Sequence, residues 1–125
     1  MSLIILEAGR GRTHLRLGAT PMGRDLCVTL DGGDQPHIGA VALSQARPSH
    51  RGEGLGASTS VLTLLGHKED DLARTLAARL AVAVDGTVCV ACGIHLDAIQ
   101  PEELQEVAAR VEQLTLELLE QLKAT

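Results

Sequence analysis

Four side chains able to bind a metal or move a proton, His37, His67, Cys92 and His95, fall at the ends of expected elements and close to glycines. Imidazole and thiolate together suit a borderline-soft divalent cation such as zinc. Imidazole alone also titrates near neutral pH and can serve as a base. His37 lies in Gly32-Gly33-Asp34-Gln35-Pro36-His37-Ile38-Gly39-Ala40. Gly32, Gly33 and Gly39 permit positive φ and close backbone approach, so the segment can present bare amides to an anion. The simpler reading is a hairpin turn with a histidine at its rim. No helix follows, which separates it from Rossmann and Walker loops.

The second cluster is Gly66-His67-Lys68-Glu69-Asp70-Asp71. A helix N-terminus offers unpaired N–H groups, and there Gly66 supplies access and Lys68 a positive charge for a phosphate. The three acids that follow argue instead for ordinary stabilisation of the helix start. The third cluster is Cys89-Val90-Ala91-Cys92-Gly93-Ile94-His95. Its C-x-x-C spacing invites a zinc or redox reading, but residues three apart on a strand face opposite sides and cannot share one ion. Cys89 is expected in the core. Cys92 and His95, at the strand end around Gly93, are better placed to reach a site. Asp97 and Glu102 can back the imidazoles as hydrogen-bonding carboxylates, while His14 and His50 read as surface residues. No nucleophile elbow, ordered triad or paired-carboxylate signature occurs.

The elements that must position these residues follow from periodicity. Strands are expected at Leu3–Glu7, Thr13–Leu17, Asp25–Leu30, His37–Ala46 and Ser58–Leu65, with a polar, glycine-rich loop from Arg47 to Gly56. The period then changes. Leu72, Leu76 and Leu80, flanked by Ala73, Ala77 and Ala81, predict a helix that stops at Asp85-Gly86. Thr87–Cys92 reads as a short buried strand. Pro101-Glu102-Glu103 opens a last helix with proline at the tolerated first position. Its stripe of Leu104, Val107, Ala108, Val111, Leu114, Leu118 and Leu122, widened by Leu116 and Leu119, serves either a broad core face or a helix-mediated homo-oligomer. The order βββββαβα predicts an α/β (α+β) fold, a mostly antiparallel sheet of about six strands with two helices on one face.

Composition bounds the rest. The chain has 125 residues, 45% hydrophobic and 22% charged, which fits one globular domain spanning 1–125. A net charge of −5 lacks the basic footprint of a nucleic-acid binder, and the absence of Phe, Tyr and Trp removes the usual platforms for stacking bases. Three cysteines are an odd set, pointing to reduced thiols and a cytoplasmic protein rather than a disulfide scaffold. No run approaches the roughly 18 apolar residues of a membrane span.

The strings Gly32 to Ala42, Gly66 to Asp70 and Cys92-Gly93-Ile94-His95, in this order, resemble the prenylated-flavin chaperone family, the small LpdD-like proteins that accompany UbiD-type hydroxyarylic acid decarboxylases. The resemblance covers about Asp25 to Glu103. It implies a non-catalytic accessory protein that binds or delivers prenylated FMN, and a divalent metal, to an aromatic acid decarboxylase. It also implies a fold similar to small proteasome-assembly-chaperone-like domains. By motif, His37, His67, Cys92 and His95 would form the ligand site and Gly32, Gly33 and Gly39 its wall. Gly66, His67 and Lys68 would join them on the cofactor. Two other classes remain open: a small His/Cys metalloenzyme or redox protein, and a structural module that oligomerises through the last helix.

Overall fold

A computed structural model describes residues 2–64 and 69–124. Six strands form one sheet in the order β1-β2-β3-β6-β4-β5. They are β1 (Ile4–Ala8), β2 (Leu15–Met22), β3 (Asp25–Gly33), β4 (Ala40–Pro48), β5 (Leu55–Thr63) and β6 (Thr87–His95). Helix α1 (Asp70–Val84) connects β5 to β6, helix α2 (Pro101–Lys123) follows β6, and a single 3-10 turn (Gly11–Thr13) joins β1 to β2. The element order is the expected βββββαβα. The sheet is mixed, because β3 and β6 run parallel while every other neighbouring pair is antiparallel.

Alternation sets the two faces. Leu15, Leu17 and Ala19 of β2, Leu26, Val28 and Leu30 of β3, Ala40 and Ala42 of β4, and Val88, Val90 and Cys92 of β6 are all buried on one side. Both helices cover that side. Ala73, Leu76, Ala77, Leu80 and Ala81 are the buried positions of α1, and Val107, Val111, Leu114, Thr115 and Leu118 those of α2. With no ring to fill space, alanines let the helices approach closely and leucines fill what remains. Ser44, fully buried on β4, satisfies its hydroxyl against Thr59 of β5 at 2.8 Å.

Several boundaries move for identifiable reasons. β2 continues through Pro21 to Met22, and the hairpin to β3 turns at Gly23, whose φ is +64°. β6 runs through Gly93 to His95 because these residues go on pairing with Asp31, Gly32 and Gly33 of β3 after the pairing with β4 has ended at Cys92. The segment from Asp34 to Gly39 is a crossover, not a hairpin, so β4 begins at Ala40 rather than His37. Cys89 is not in the core. It lies on the open face beside its register partner Cys27, and both thiols are half-buried. The stripe of α2 packs on its own sheet, leaving Leu104 and Leu116 exposed three turns apart.

Candidate ligand-binding site

The site is built where β3 must reach β4 across β6. Two strand spacings separate β3 from β4, about 10 Å, and the crossover spans them over the C-terminal end of β6. Backbone bonds anchor it: the Asp34 N–H donates to the His95 carbonyl at 2.7 Å, and the Gly39 N–H to the Cys92 carbonyl at 2.9 Å. A Cβ on Gly93 would lie 1.8 Å from the His37 carbonyl oxygen, so glycine is required at the crossing. Gly33, at φ +81°, is required twice over, since a Cβ there would meet the His95 carbonyl at 2.3 Å. Gly32 is buried beside the His14 carbonyl and packs rather than faces outward.

These constraints bring His37 and His95 together. Their rings meet edge to face, with centroids 6.3 Å apart and an interplanar angle of 79°. The Nδ1 of His37 lies 2.9 Å from the Gln35 carbonyl, an acceptor only, so that nitrogen carries a proton. Its Nε2 faces the Glu69 carboxylate at 3.3 Å, just before α1. A Cβ on Gly39 would fall 2.5 Å from the Glu69 carboxylate, so the absent side chain makes room for it. The Nε2 of His95 pairs with Asp97 at 2.9 Å. Both imidazoles keep solvent access, at 22% for His37 and 44% for His95.

Arg12 ties the loops that carry the two histidines. It reaches the Asp34 carboxylate at 3.2 Å, the Glu103 carboxylate at 3.2 Å and the Asp97 carbonyl. Asp34 accepts the Asp97 N–H at 3.0 Å. Glu103, rather than Glu102, backs this end of the site, and its other oxygen closes a capping box on the Gln100 N–H. Asp97 beside His95 was legible from adjacency. The role of Arg12 was not, because it lies 85 residues from the Asp97 carbonyl it holds.

Cys92 stands apart from this arrangement. Its side chain is in the core, 1% exposed, and its thiol is pushed up to about 12, chiefly by burial and further by the nearby Glu69 and Asp31 carboxylates. A thiol held protonated is a poor metal ligand. Gly66, His67 and Lys68 lie outside the described residues. Among the described residues, no group of three or more His, Cys, Asp or Glu side chains is placed to hold a metal ion. The divalent-metal expectation thus gains no support.

A trough of about 340 Å3 runs between the helices, with Leu72, Leu76, Leu104, Val107 and Val111 among its walls. Leu72 and Leu104 lie about one turn inside α1 and α2, so the trough begins near the same end of the fold as the two histidines. Further along, Arg79 of α1 holds Glu112 of α2 at 2.7 Å.

The arrangement offers half-buried imidazoles, a backbone-rich crossover and an apolar trough, the ingredients of a small-molecule site. Across its full length the chain has the fold of a protein solved in a chaperone complex for yeast 20S proteasome assembly, with a TM-score of 0.58, 16% identity and 98% of each chain covered. It is 25% identical over 111 residues to Protein LpdD of Lactiplantibacillus plantarum, covering 82% of this chain and 73% of that one. Residues 9–123 match the prenylated flavin chaperone LpdD-like domain. The chain therefore belongs to the LpdD-like prenylated-flavin chaperone family, whose members are non-catalytic accessory proteins.

Proposed function

We propose that this protein binds prenylated FMN at the crossover end of the sheet and passes it to a cytoplasmic UbiD-type decarboxylase of aromatic acids. The observation that carries the reading is the family match over residues 9–123. The site fits the group in two respects. His37 and His95 offer polar contacts that solvent can reach. The trough lined by Leu72 and Leu104 suits an apolar substituent. When bound, the flavin supplies reactive ring chemistry that is used in the partner, and this chain binds, shields and releases.

The missing aromatics suit release. Stacking of a flat ring on an aromatic side chain is worth about 1–3 kcal/mol, or roughly 5- to 150-fold in affinity. A carrier without it holds its cargo by imidazoles, peptide planes and aliphatic side chains, and lets go more readily.

The test uses flavin absorbance and fluorescence titrations, which the chain's lack of Trp and Tyr leaves uncluttered. These are paired with reconstitution of a decarboxylase by prenylated FMN with and without this protein. Saturable binding, faster reconstitution, and loss of both in the His37→Ala/His95→Ala double variant are expected. Reconstitution unaffected by the wild-type protein would overturn the reading.

A further inference from the structure

Both helices cover one side of the sheet, and among the described residues only the crossover, at Gly93, reaches over the other side. Register places two adjacent rows on it. One runs Ile5, Gly18, Thr29, Ala91, Val41, Leu62 from β1 to β5. The next runs Thr20, Cys27, Cys89, Leu43, Ser60 from β2 to β5. Neither row contains a charged residue, although 22% of the chain is charged. Charges return only beyond them, with Glu7, Arg16 and Asp31 along one border and Asp25 and Arg47 at the other. Large apolar side chains stand in water here, Leu43 at 53% and Leu62 at 77% exposure. A solvated sheet face normally carries polar side chains.

We infer that this face is an interface between two copies of the chain, packed sheet against sheet. Three features select a second copy over another occupant. First, the face is self-complementary in shape. A two-fold axis along the strands, between β3 and β6, reverses the strand order, so Val41 and Leu43 of β4 stand over the shallow Gly18 and Thr20 of the other copy's β2, and Leu62 of β5 stands over Ile5 of its β1. Second, with the two charged border rows counted as rim, six strands about 4.8 Å apart and some four rows deep present on the order of 600 Å2 per copy, about 1,200 Å2 in total, which reaches the range of stable interfaces. Third, the same axis sets Glu7, Arg16 and Asp31, all on β1–β3, over β5, β4 and β6 of the other copy, so these charges do not meet their own copies. Its two central rows also lack the aromatic and arginine anchors on which unlike partners usually centre their binding. The crossover, which lies over Gly93 at the end of β6, bounds the patch and leaves the histidine site at the rim.

The experiment is sedimentation equilibrium of the full chain over a micromolar to submillimolar series, with far-UV circular dichroism to verify folding. Wild type is expected at twice the 13.1 kDa chain mass. Leu43→Lys and, separately, Leu62→Lys should raise the dissociation constant at least tenfold while leaving the spectrum unchanged, since both side chains are already exposed in one copy. Leu116→Lys, on the exposed side of α2, should remain dimeric. Alkylation of Cys27 and Cys89 should be slow in wild type and fast in Leu43→Lys. A monomeric wild type throughout the series, dimers that survive both sheet substitutions, dissociation by Leu116→Lys alone, or equal alkylation of the two proteins would each overturn the inference.

Discussion

Gly93 carries the sharpest constraint in the site, because the backbone of the crossover occupies the space its side chain would need. The nearest atom is the His37 carbonyl oxygen, which is main chain and cannot rotate away. Gly93→Ala is therefore expected to cost at least the 1–3 kcal/mol typical of overpacking and to push His37 away from His95. Chemical denaturation should show the loss, and flavin titration should weaken with it. Gly11→Ala is the contrast. A Cβ there meets nothing within 4 Å, so only the strain of its φ of +60° is at issue and the flavin site should be unaffected. Residue chemistry was partly legible from sequence: histidines beside glycines pointed to the segment before β4, read there as a turn, and to the end of β6. Cys92 misled because a strand-end position does not reveal which face a side chain takes. Its parity with Val88 and Val90 puts it under α1, where burial keeps the thiol protonated.

Between elements, the contact of α1 with α2 shapes the trough and is held at its far end by one ion pair. Arg79 donates to both oxygens of Glu112, at 2.7 and 3.2 Å. The hydrogen bonds from Arg79 hold the Glu112 carboxyl below its ordinary range. A depressed carboxylate adds stability that is present in full above its unfolded-state value and disappears as pH falls through the folded one. Thermal melts should therefore show wild type and Glu112→Gln differing near neutral pH and converging in acid. Because both partners face solvent, the difference should be small and should shrink with added salt. An unchanged difference from neutral to strongly acidic pH would remove the assigned cause. Periodicity located both helices closely. It could not show that they run side by side with their N-termini at the same end, since that depends on which strands each one covers.

Taken whole, the molecule has one core shared by every strand except the edge strand β5, whose Ala57 and Val61 only pack against it. β6, the last strand in sequence, is inserted between β3 and β4 and so links the β1–β3 meander to the β4–β5 hairpin. By pairing with β3 on one side and β4 on the other, it makes the two parts one sheet. Calorimetry and circular dichroism are accordingly expected to report one coincident unfolding transition; separate transitions for the two halves would contradict a single domain. From the chain alone came the element order, the two amphipathic helices, the absence of aromatic stacking, and the family signature carried by the glycine and histidine strings. Each is set by local spacing or by composition, which a linear reading contains in full. Tertiary structure decided the insertion of β6, the parallel β3–β6 pair, the conversion of the Gly32–Gly39 segment from turn to crossover, and the grip of Arg12 on both histidine loops. These depend on pairings between residues tens of positions apart. Such pairings are chosen by the burial of a shared face, and no local pattern encodes which strand will lie beside which.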